Sequence, residues 1–326
     1  MAAELGTKVV VITGASSGIG RAAAQAFARQ GSRLVLAARS QAALEIAARE
    51  CTDAGGEAIP FACDVTQFDD MAALAQTAKQ RFGQLDVWVN DAGVHMLGRF
   101  DDLPLEDFRQ VIDVNLMGTV HGCRAALPVF RAQGHGVIIN IASMAGAIGQ
   151  PYASAYVASK WAVRGLSEAL RMELLDAPGI HVCTVLPPSI DTPLFQHAAN
   201  VAGRAVQPVP PVHSPEELAD IIVALAAKPE REVFMGMSRL ITVAHAMAPA
   251  ATERLMARAV AKRHFRNSPS ARSRGNLFSP QIDAVHGGWG NSSNRTKMLT
   301  IAAAAMVAVP VGIYAWRRLR GQSAYV

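Results

Sequence analysis

The sequence predicts a doubly wound α/β domain in which a parallel sheet of about seven strands carries helices on both faces. In the first 240 residues, short apolar runs rich in β-branched side chains alternate with longer alanine-rich helical patterns. Strands that are apolar throughout are buried on both faces of a sheet, and right-handed crossovers place the connecting helices on its two sides.

The individual elements follow from the same alternation. Six apolar runs are predicted as strands, and they span residues 8–13, 33–38, 57–63, 85–90, 136–143 and 180–187. Helical patterns lie between them at 19–30, 41–54, 67–82, 105–133 and 152–176. A further helix begins at Ser214, which caps it, with Pro215 in the first position and Glu217 completing a capping box. A seventh strand, 232–235, follows this helix, so the domain is predicted to span residues 1–240.

Residues 187–213 interrupt the alternation with six prolines and no regular period. An irregular segment of this length in a compact domain is typical of a lid or a binding loop. We therefore predict a lid over these residues.

The composition excludes several classes of protein. The four cysteines, at 51, 63, 123 and 183, form no Cys-x-x-Cys pair, so neither a structural zinc site nor a disulfide framework is predicted. A net charge of +5 without a basic stripe in the first 250 residues argues against nucleic-acid binding. The first residues run as a strand into glycines and carry no secretory signal, so the domain is expected in the cytoplasm.

Residues 241–297 are predicted to form a basic, partly helical linker. From Arg254 onward the linker holds nine lysines and arginines against a single acidic residue. Arg254, Arg258 and Lys262 fall on one helical face, which suits a basic amphipathic helix at an anionic membrane surface. Packing of this helix on the domain or on a partner subunit is an equally good interpretation.

An uncharged apolar stretch, residues 298–316, follows the linker. As a helix, its 19 residues would extend about 28 Å, close to the hydrocarbon thickness of a bilayer. We therefore predict a single-pass membrane anchor followed by a short basic tail at 317–326, with a buried hydrophobic helix as the alternative. Basic residues flank both ends of the stretch, so its orientation is not decided.

Two short motifs point to dinucleotide chemistry. The motif "TGASSGIG", residues 13–20, places three glycines between the first strand and the first helix, where backbone N–H groups bind phosphate. In "YVASK", Tyr156 precedes Lys160 by one helical turn, which brings the phenol and the ammonium to one helical face.

These motifs and three others together resemble the short-chain dehydrogenase/reductase family. The others are "NDAG" (90–93), Asn115 in "DVNLMG" and Ser143 at the end of the fifth predicted strand. All occur in the family's order within residues 6–240. The resemblance implies a Rossmann-type fold, NAD(P)-dependent oxidoreductase activity and a homo-oligomer.

The resemblance also implies roles for four residues. Tyr156 is the general acid or base that exchanges a proton with the substrate oxygen, and Lys160 lowers its pKa and holds the nicotinamide ribose. Ser143 hydrogen-bonds the substrate oxygen, and Asn115 holds a water that relays protons to Lys160. Carbonyl reduction leaves charge on oxygen, so a proton donor and fixed hydrogen bonds are the groups that this chemistry needs.

By the same resemblance, the cofactor contacts come from the ends of several strands. Ala38 stands where NAD-preferring members carry an acidic residue, and Arg39 follows it with a guanidinium suited to a 2′-phosphate. NADP(H) is therefore favoured, with NAD(H) as the alternative. No metal site is predicted, and the predicted cofactor-binding residues are Gly14, Ser16, Ser17, Gly18, Ile19, Gly20, Arg39, Asp64, Val65, Asn90, Ala92, Gly93, Tyr156, Lys160, Pro187 and Thr192.

Two residues depart from the family's pattern. Asp91 replaces the second asparagine of Asn-Asn-Ala-Gly, which removes an amide donor close to the cofactor. Pro188 stands where relatives commonly have glycine, and its fixed backbone dihedral stiffens the start of the lid. Neither change removes a reacting group.

The predicted substrate is an apolar ketone, aldehyde or alcohol. The residues expected to border its pocket are Met96, Leu97, Met144, Ile148, Leu194 and Phe195. His95 and His121 are interpreted as ordinary loop and helix residues. A non-catalytic NADP(H)-binding sensor or scaffold at a membrane is the alternative function, and retention of all four catalytic residues argues against it. A sugar-nucleotide epimerase is a weaker alternative because the domain is short.

Overall fold

A sheet of seven parallel strands lies at the centre of the computed structural model, which describes Gly6 and residues 8–281 and 284–290. Its order is β7-β6-β5-β4-β1-β2-β3, so the chain reverses direction across the sheet between β1 and β4. Ligands of open α/β sheets bind at such a switch point. The strands are β1 (Val9–Thr13), β2 (Arg33–Ala38), β3 (Glu57–Ala62), β4 (Val87–Asn90), β5 (Gly136–Ile141), β6 (Ile180–Leu186) and β7 (Glu232–Phe234).

The predicted fold class is confirmed, and each predicted strand is present with ends that differ by at most two residues. The helices are α1 (Gly18–Ala28), α2 (Gln41–Asp53), α3 (Phe68–Phe82), α4 (Leu105–Ile112), α5 (Gly118–Gln133), α6 (Ser154–Glu173), α7 (Pro215–Ala227), α8 (Ser238–Met247) and α9 (Pro249–Arg263).

The two faces of the sheet carry separate apolar cores. Successive residues of β1 alternate between them, with Val10 and Ile12 in one core and Val9 and Val11 in the other. Helices α1, α2 and α7 contribute to the first core, and α3, α5 and α6 contribute to the second. Burial on both faces explains why the strands read as continuous apolar runs.

The single helix predicted over 105–133 is divided in the structure. A π-helical turn, Asp113–Met117, separates α4 from α5 and contains the buried Asn115. Such turns widen a helix locally and are frequent at functional sites. At α7, the expected cap is present, because Ser214 Oγ accepts the N–H of Glu217 at 3.2 Å.

The predicted lid is held down by short strand pairs. Ser189–Ile190 pairs with Val212–His213, and Ala199–Asn200 pairs with Met96–Leu97. The strand Arg204–Val206 pairs with Phe265–Pro269, which belongs to the predicted linker.

The described part of residues 241–297 is not a linker but folds back onto the domain, which corrects the prediction. Helices α8 and α9 and the strand Phe265–Pro269 precede an irregular segment that crosses the carboxyl ends of the sheet strands. We call its described residues, 270–281 and 284–290, the strap. Val260 of α9 is only 1% exposed, which favours packing on the domain over a membrane-surface helix.

The predicted anchor at 298–316 and the tail at 317–326 lie outside the described residues. Among the residues that the structure does describe, none of the helices has the length and apolar character needed to cross a bilayer.

Candidate active site

A cleft of about 900 Å³ opens at the carboxyl ends of the strands, where the strand order reverses. It is bordered by the turn after each strand from β1 to β6, by the lid, and by α8 and α9. Most of the sequence-predicted site residues lie together on its wall: Gly14, Ser16, Ser17, Gly18, Ile19, Arg39, Asp64, Val65, Ala92, Gly93, Ser143, Tyr156, Lys160, Pro187 and Thr192.

The glycine turn fits tightly against the loop after β4. Gly14 has φ of +75°, and a Cβ at this position would lie 2.8 Å from the backbone nitrogen of Ala92. A Cβ on Gly20 would lie 2.5 Å from the carbonyl oxygen of Gly14, so Gly20 lets α1 pack against the turn without lining the cleft. The turn therefore exposes backbone donors at the helix N-terminus because side chains are absent at both positions.

Tyr156 and Lys160 project from α6 into the cleft, as the spacing predicts. Lys160 Nζ donates to the carbonyl oxygen of Ile141 at 2.8 Å and lies 5.7 Å from the centroid of the Tyr156 ring. Ser143 follows β5, and its Oγ accepts the N–H of Ala145 at 3.1 Å. A carbonyl group beside Tyr156 would therefore meet the phenol and the Ser143 hydroxyl together, since these two side chains are within hydrogen-bonding reach.

The ionisation of Tyr156 differs from the sequence expectation. Burial is the main reason that the pKa of Tyr156 is raised to about 12; a hydrogen bond with Ser143 acts against the rise, and the negative charge of Asp91 contributes to it. Burial also lowers the pKa of Lys160 to about 8. Desolvation of the phenolate thus dominates over the neighbouring ammonium, and the phenol is protonated at neutral pH.

Asn115 connects the loop after β4 to the catalytic helix. Its Oδ1 accepts the N–H of Val94 at 2.8 Å, and its Nδ2 donates to Val94 O and to Ser159 Oγ, each at 3.0 Å. Ser159 Oγ in turn donates to the carbonyl oxygen of Tyr156 at 2.7 Å. Both amide protons of Asn115 are therefore engaged by protein groups, and the water relay inferred from the resemblance stays a prediction.

Asp91, the departure in the "NDAG" motif, places a part-buried carboxylate between the glycine turn and Lys160. It accepts the backbone N–H of Gly20, burial raises the pKa of Asp91 to about 7, and the charge of Lys160 acts against that rise. Burial of the ammonium has the largest effect on the pKa of Lys160 and lowers it, while the negative charge of Asp91 acts in the opposite direction and raises it. Asp91 thus helps to keep Lys160 charged.

We expect Asp91→Asn to move the alkaline limb of the kcat/KM profile to lower pH. In the wild type, activity should fall as Lys160 loses its proton near pH 8. Without the Asp91 charge, the pKa of Lys160 is lower still, so the ammonium is lost earlier as pH rises. Asp64→Asn, which removes another carboxylate on the cleft wall, is the control and should leave this limb in place. An unshifted limb in Asp91→Asn would contradict the assignment.

Two predicted cofactor residues have other partners in the structure. Arg39 Nη2 donates to the carbonyl oxygen of Asn276 at 2.7 Å, and Nη1 donates to that of Leu277 at 3.1 Å, so the strap takes the guanidinium assigned to a 2′-phosphate. The Asn90 side chain lies outside the cleft wall and bonds Trp88 and Asn140, each at 2.8 Å. Its contribution to the site is to fix the end of β4.

His95 is a site residue that the sequence interpretation missed. Its imidazole stacks on the Tyr156 ring with centroids 4.2 Å apart and an interplanar angle of 15°. Burial lowers the pKa of His95 to about 3, so the ring is neutral at physiological pH and packs against the phenol without adding charge.

His264, from beyond the predicted domain, also lines the cleft and contacts Phe195 edge to face. Only its position after a basic helix marked it in the sequence.

The predicted substrate-pocket residues are divided by the structure. Met144, Leu194 and Phe195 line the cleft, whereas Met96, Leu97 and Ile148 are buried away from its wall. Much of the outer cleft is instead formed by apolar residues of α8 and α9, which the sequence interpretation placed in a linker: Leu240, Val243, Met247, Leu255, Met256 and Val260.

Comparisons with known proteins agree with this arrangement. A family model described as short chain dehydrogenase matches residues 8–201. The chain is 33% identical over 324 residues to the uncharacterized oxidoreductase YxnA of Bacillus subtilis (strain 168), with 96% of this chain and 90% of the relative covered. That similarity extends beyond the predicted catalytic domain into the C-terminal region.

Two solved structures share the fold over 70% of this chain and 95% of their own chains. One is an alcohol dehydrogenase from the archaeon Thermococcus sibiricus complexed with 5-hydroxy-NADP, with a TM-score of 0.61 and 32% identity. The other is a metagenomic short-chain oxidoreductase in complex with NADP, with a TM-score of 0.59 and 32% identity.

Proposed function

The chain belongs to the short-chain dehydrogenase family and is an oxidoreductase of that type, and we propose that it interconverts an apolar ketone or aldehyde with its alcohol, using NADP(H). The observation that carries the proposal is the meeting of Ser143 and Tyr156 in a cleft that begins at the glycine turn. The apolar outer wall supplied by α8 and α9 favours a lipophilic substrate.

The residues of the cleft fit a dinucleotide. Backbone N–H groups of the glycine turn would hold the pyrophosphate, Asp64 and Val65 would contact the adenine, and Lys160 would hold the nicotinamide ribose. Arg39 at the end of β2 supports a preference for the 2′-phosphate, with NAD(H) as the alternative. NADP and 5-hydroxy-NADP in the two similar structures add support from those proteins.

When bound, the reduced nicotinamide supplies the hydride for carbonyl reduction. Tyr156 donates its proton to the carbonyl oxygen, and a phenol with a pKa of about 12 is in the protonated form that this step requires. The Ser143 hydroxyl donates to the same oxygen and stabilises the charge that develops there. Lys160, on the next turn of α6, places a positive charge near the phenolate that remains. His95 packs against the ring and fixes its orientation.

A screen of purified full-length protein against aliphatic and aromatic ketones and aldehydes tests the proposal. We expect oxidation of NADPH with lipophilic carbonyls, a higher kcat/KM for NADPH than for NADH, and less turnover with small polar carbonyls. Tight NADPH binding without turnover of any carbonyl or alcohol would favour the non-catalytic sensor instead.

Attachment to a membrane through residues 298–316 and assembly into a homo-oligomer are also proposals. The first follows from the length of the apolar stretch, and the second follows from the family. Carbonate extraction of membranes and sedimentation of the purified protein check them in turn.

A further inference from the structure

The strap occupies two hydrogen-bond donors that a dinucleotide phosphate would use. The N–H of Gly18, in the glycine turn at the start of α1, donates to the carbonyl oxygen of Ala284 at 3.2 Å. The guanidinium of Arg39 donates to the carbonyl oxygens of Asn276 and Leu277 at 2.7 and 3.1 Å. The strap thus contacts the cleft both where the pyrophosphate is expected, at Gly18, and where the 2′-phosphate is expected, at Arg39.

Anchors on both sides hold the strap in this position. Leu277 is fully buried in the core of the second sheet face, and Gln110 of α4 donates to its carbonyl oxygen at 3.1 Å. Arg274 pairs with Asp107 at 2.5 Å and with Glu106 at 2.9 Å. These contacts fix the side of the strap that faces Arg39.

The other side of the strap is tied to the lid. The carboxylate of Asp191 accepts the N–H groups of Trp289 and Gly287 at 2.7 and 3.1 Å. The indole Nε1 of Trp289 donates to the carbonyl oxygen of Thr192 at 3.2 Å. Thr192 lies so near the glycine turn that a Cβ on Gly18 would be 3.2 Å from its side chain, so this end of the strap and the lid lie together over the start of α1.

The strap and a phosphate exclude one another at these donors. While the strap is docked, the single proton of the Gly18 N–H is taken by the Ala284 carbonyl oxygen, and two of the five N–H groups of Arg39 are directed at strap carbonyl oxygens. A phosphate cannot make these same bonds until the strap leaves. A carbonyl oxygen is an uncharged substitute for a phosphate oxygen at both positions. A negatively charged phosphate makes stronger hydrogen bonds to these donors than an uncharged carbonyl oxygen does, so the cofactor is able to displace the strap.

We propose that the strap is a self-inhibitory segment that competes with the phosphates of NADP(H) and must leave Gly18 and Arg39 before the cofactor binds. The proposal rests on the proposed NADP(H) function of the same cleft. Its consequence is thermodynamic: the observed Kd for NADPH equals the Kd of the open form divided by the open fraction. Any change that loosens the strap without touching the cleft therefore tightens NADPH binding.

Arg274→Ala is the variant that tests this consequence in the full-length protein. It removes the ion pairs with Asp107 and Glu106, and Arg274 does not line the cleft. NADPH titration should give a Kd about fivefold lower than wild type, the size of effect expected when the ion pairs of one part-exposed arginine are removed from the docked state. Arg272→Ala, the same change on an exposed strap residue, is the matched control and should keep the wild-type Kd.

Trp289→Ala provides a second test, because Arg274→Ala leaves the buried Asp107 without this partner and its effect on α4 could obscure the result. It loosens the opposite end of the strap, so a lower Kd is expected here as well. Hydrogen exchange gives a readout independent of activity. Saturating NADPH should speed exchange at the backbone amides of Asn276 and Trp289, which the docked strap bonds to His197 and Asp191.

Weaker NADPH binding in both variants, or slower exchange at these strap amides on adding NADPH, would show that the strap is part of the cofactor site and would overturn the proposal. An unchanged Kd in both variants would overturn it as well. If NADPH bound neither the wild type nor the two variants, the proposed cofactor would be wrong, and so would the proposal that the strap competes with it. Failure of the strap proposal alone would leave NADPH binding and turnover intact.

Discussion

Replacing Tyr156 by phenylalanine is expected to lower kcat about 10³-fold while leaving the Kd for NADPH within error of wild type. The change deletes only the hydroxyl that gives a proton to the substrate oxygen. The ring remains, and with it the stacking contact with His95 at 4.2 Å. Lys160 keeps its hydrogen bond to the Ile141 carbonyl, so the geometry on the cofactor side is retained.

Tyr152→Phe is the matched control for this result. It makes the same chemical change four residues earlier, at a tyrosine that packs against Phe265 and does not line the cleft. Its kcat should equal that of the wild type. If Tyr156→Phe kept full turnover, the proton would have to come from another group, and the proposed role of Tyr156 would be wrong.

The sheet could be predicted in detail because its physics is local. A strand buried on both faces must be apolar at nearly every position, as Val9–Thr13 and Ile180–Leu186 are, and these runs became strands as predicted. The two edge strands, Glu57–Ala62 and Glu232–Phe234, are less buried and were predicted from their place in the alternation with helices. The positions of Ser143 and Tyr156 came from a resemblance and not from periodicity, and the fold brings both to the cleft wall.

The contacts that the sequence did not predict join residues far apart in the chain. Arg39 and Asn276 are 237 residues apart, and no local pattern links a loop arginine to a backbone carbonyl in the strap. The stacking of His95 on Tyr156 also depends on where two separate elements end. Nor does the sequence report burial, which sets the direction of the Tyr156 pKa.

The location of the basic C-terminal region could not be predicted from its composition. Its charge suggested either a membrane surface or packing, and the structure resolves this for Arg274, whose charge is used against Asp107 and Glu106. The strand Phe265–Pro269, which follows α9, pairs with Arg204–Val206 of the lid, and apolar residues of α9 line the cleft. Strand pairing with the lid and specific ion pairs with α4 both hold this region, and neither can be inferred from its net charge.

Asn115→Ala is expected to lower the free energy of unfolding by about 3 kcal/mol and to reduce kcat of the folded enzyme. The side chain is fully buried and satisfies both the N–H and the carbonyl oxygen of Val94, which the substitution would leave without these partners. It also bonds Ser159, which supports the backbone at Tyr156. The substitution therefore removes support from the catalytic helix α6 as well as hydrogen bonds from the core.

Asn140→Ala separates these two effects. Asn140 is equally buried and bonds Ser167 and Asn90 at 2.9 and 2.8 Å, but it does not line the cleft or contact α6 near Tyr156. Denaturant unfolding should show a loss of stability in both variants, whereas kcat should fall only in Asn115→Ala. If Asn115→Ala lost turnover with unchanged stability, a proton relay through bound water would explain Asn115 better than the bridge between Val94 and α6. If both variants kept wild-type kcat, Asn115 would act on stability alone.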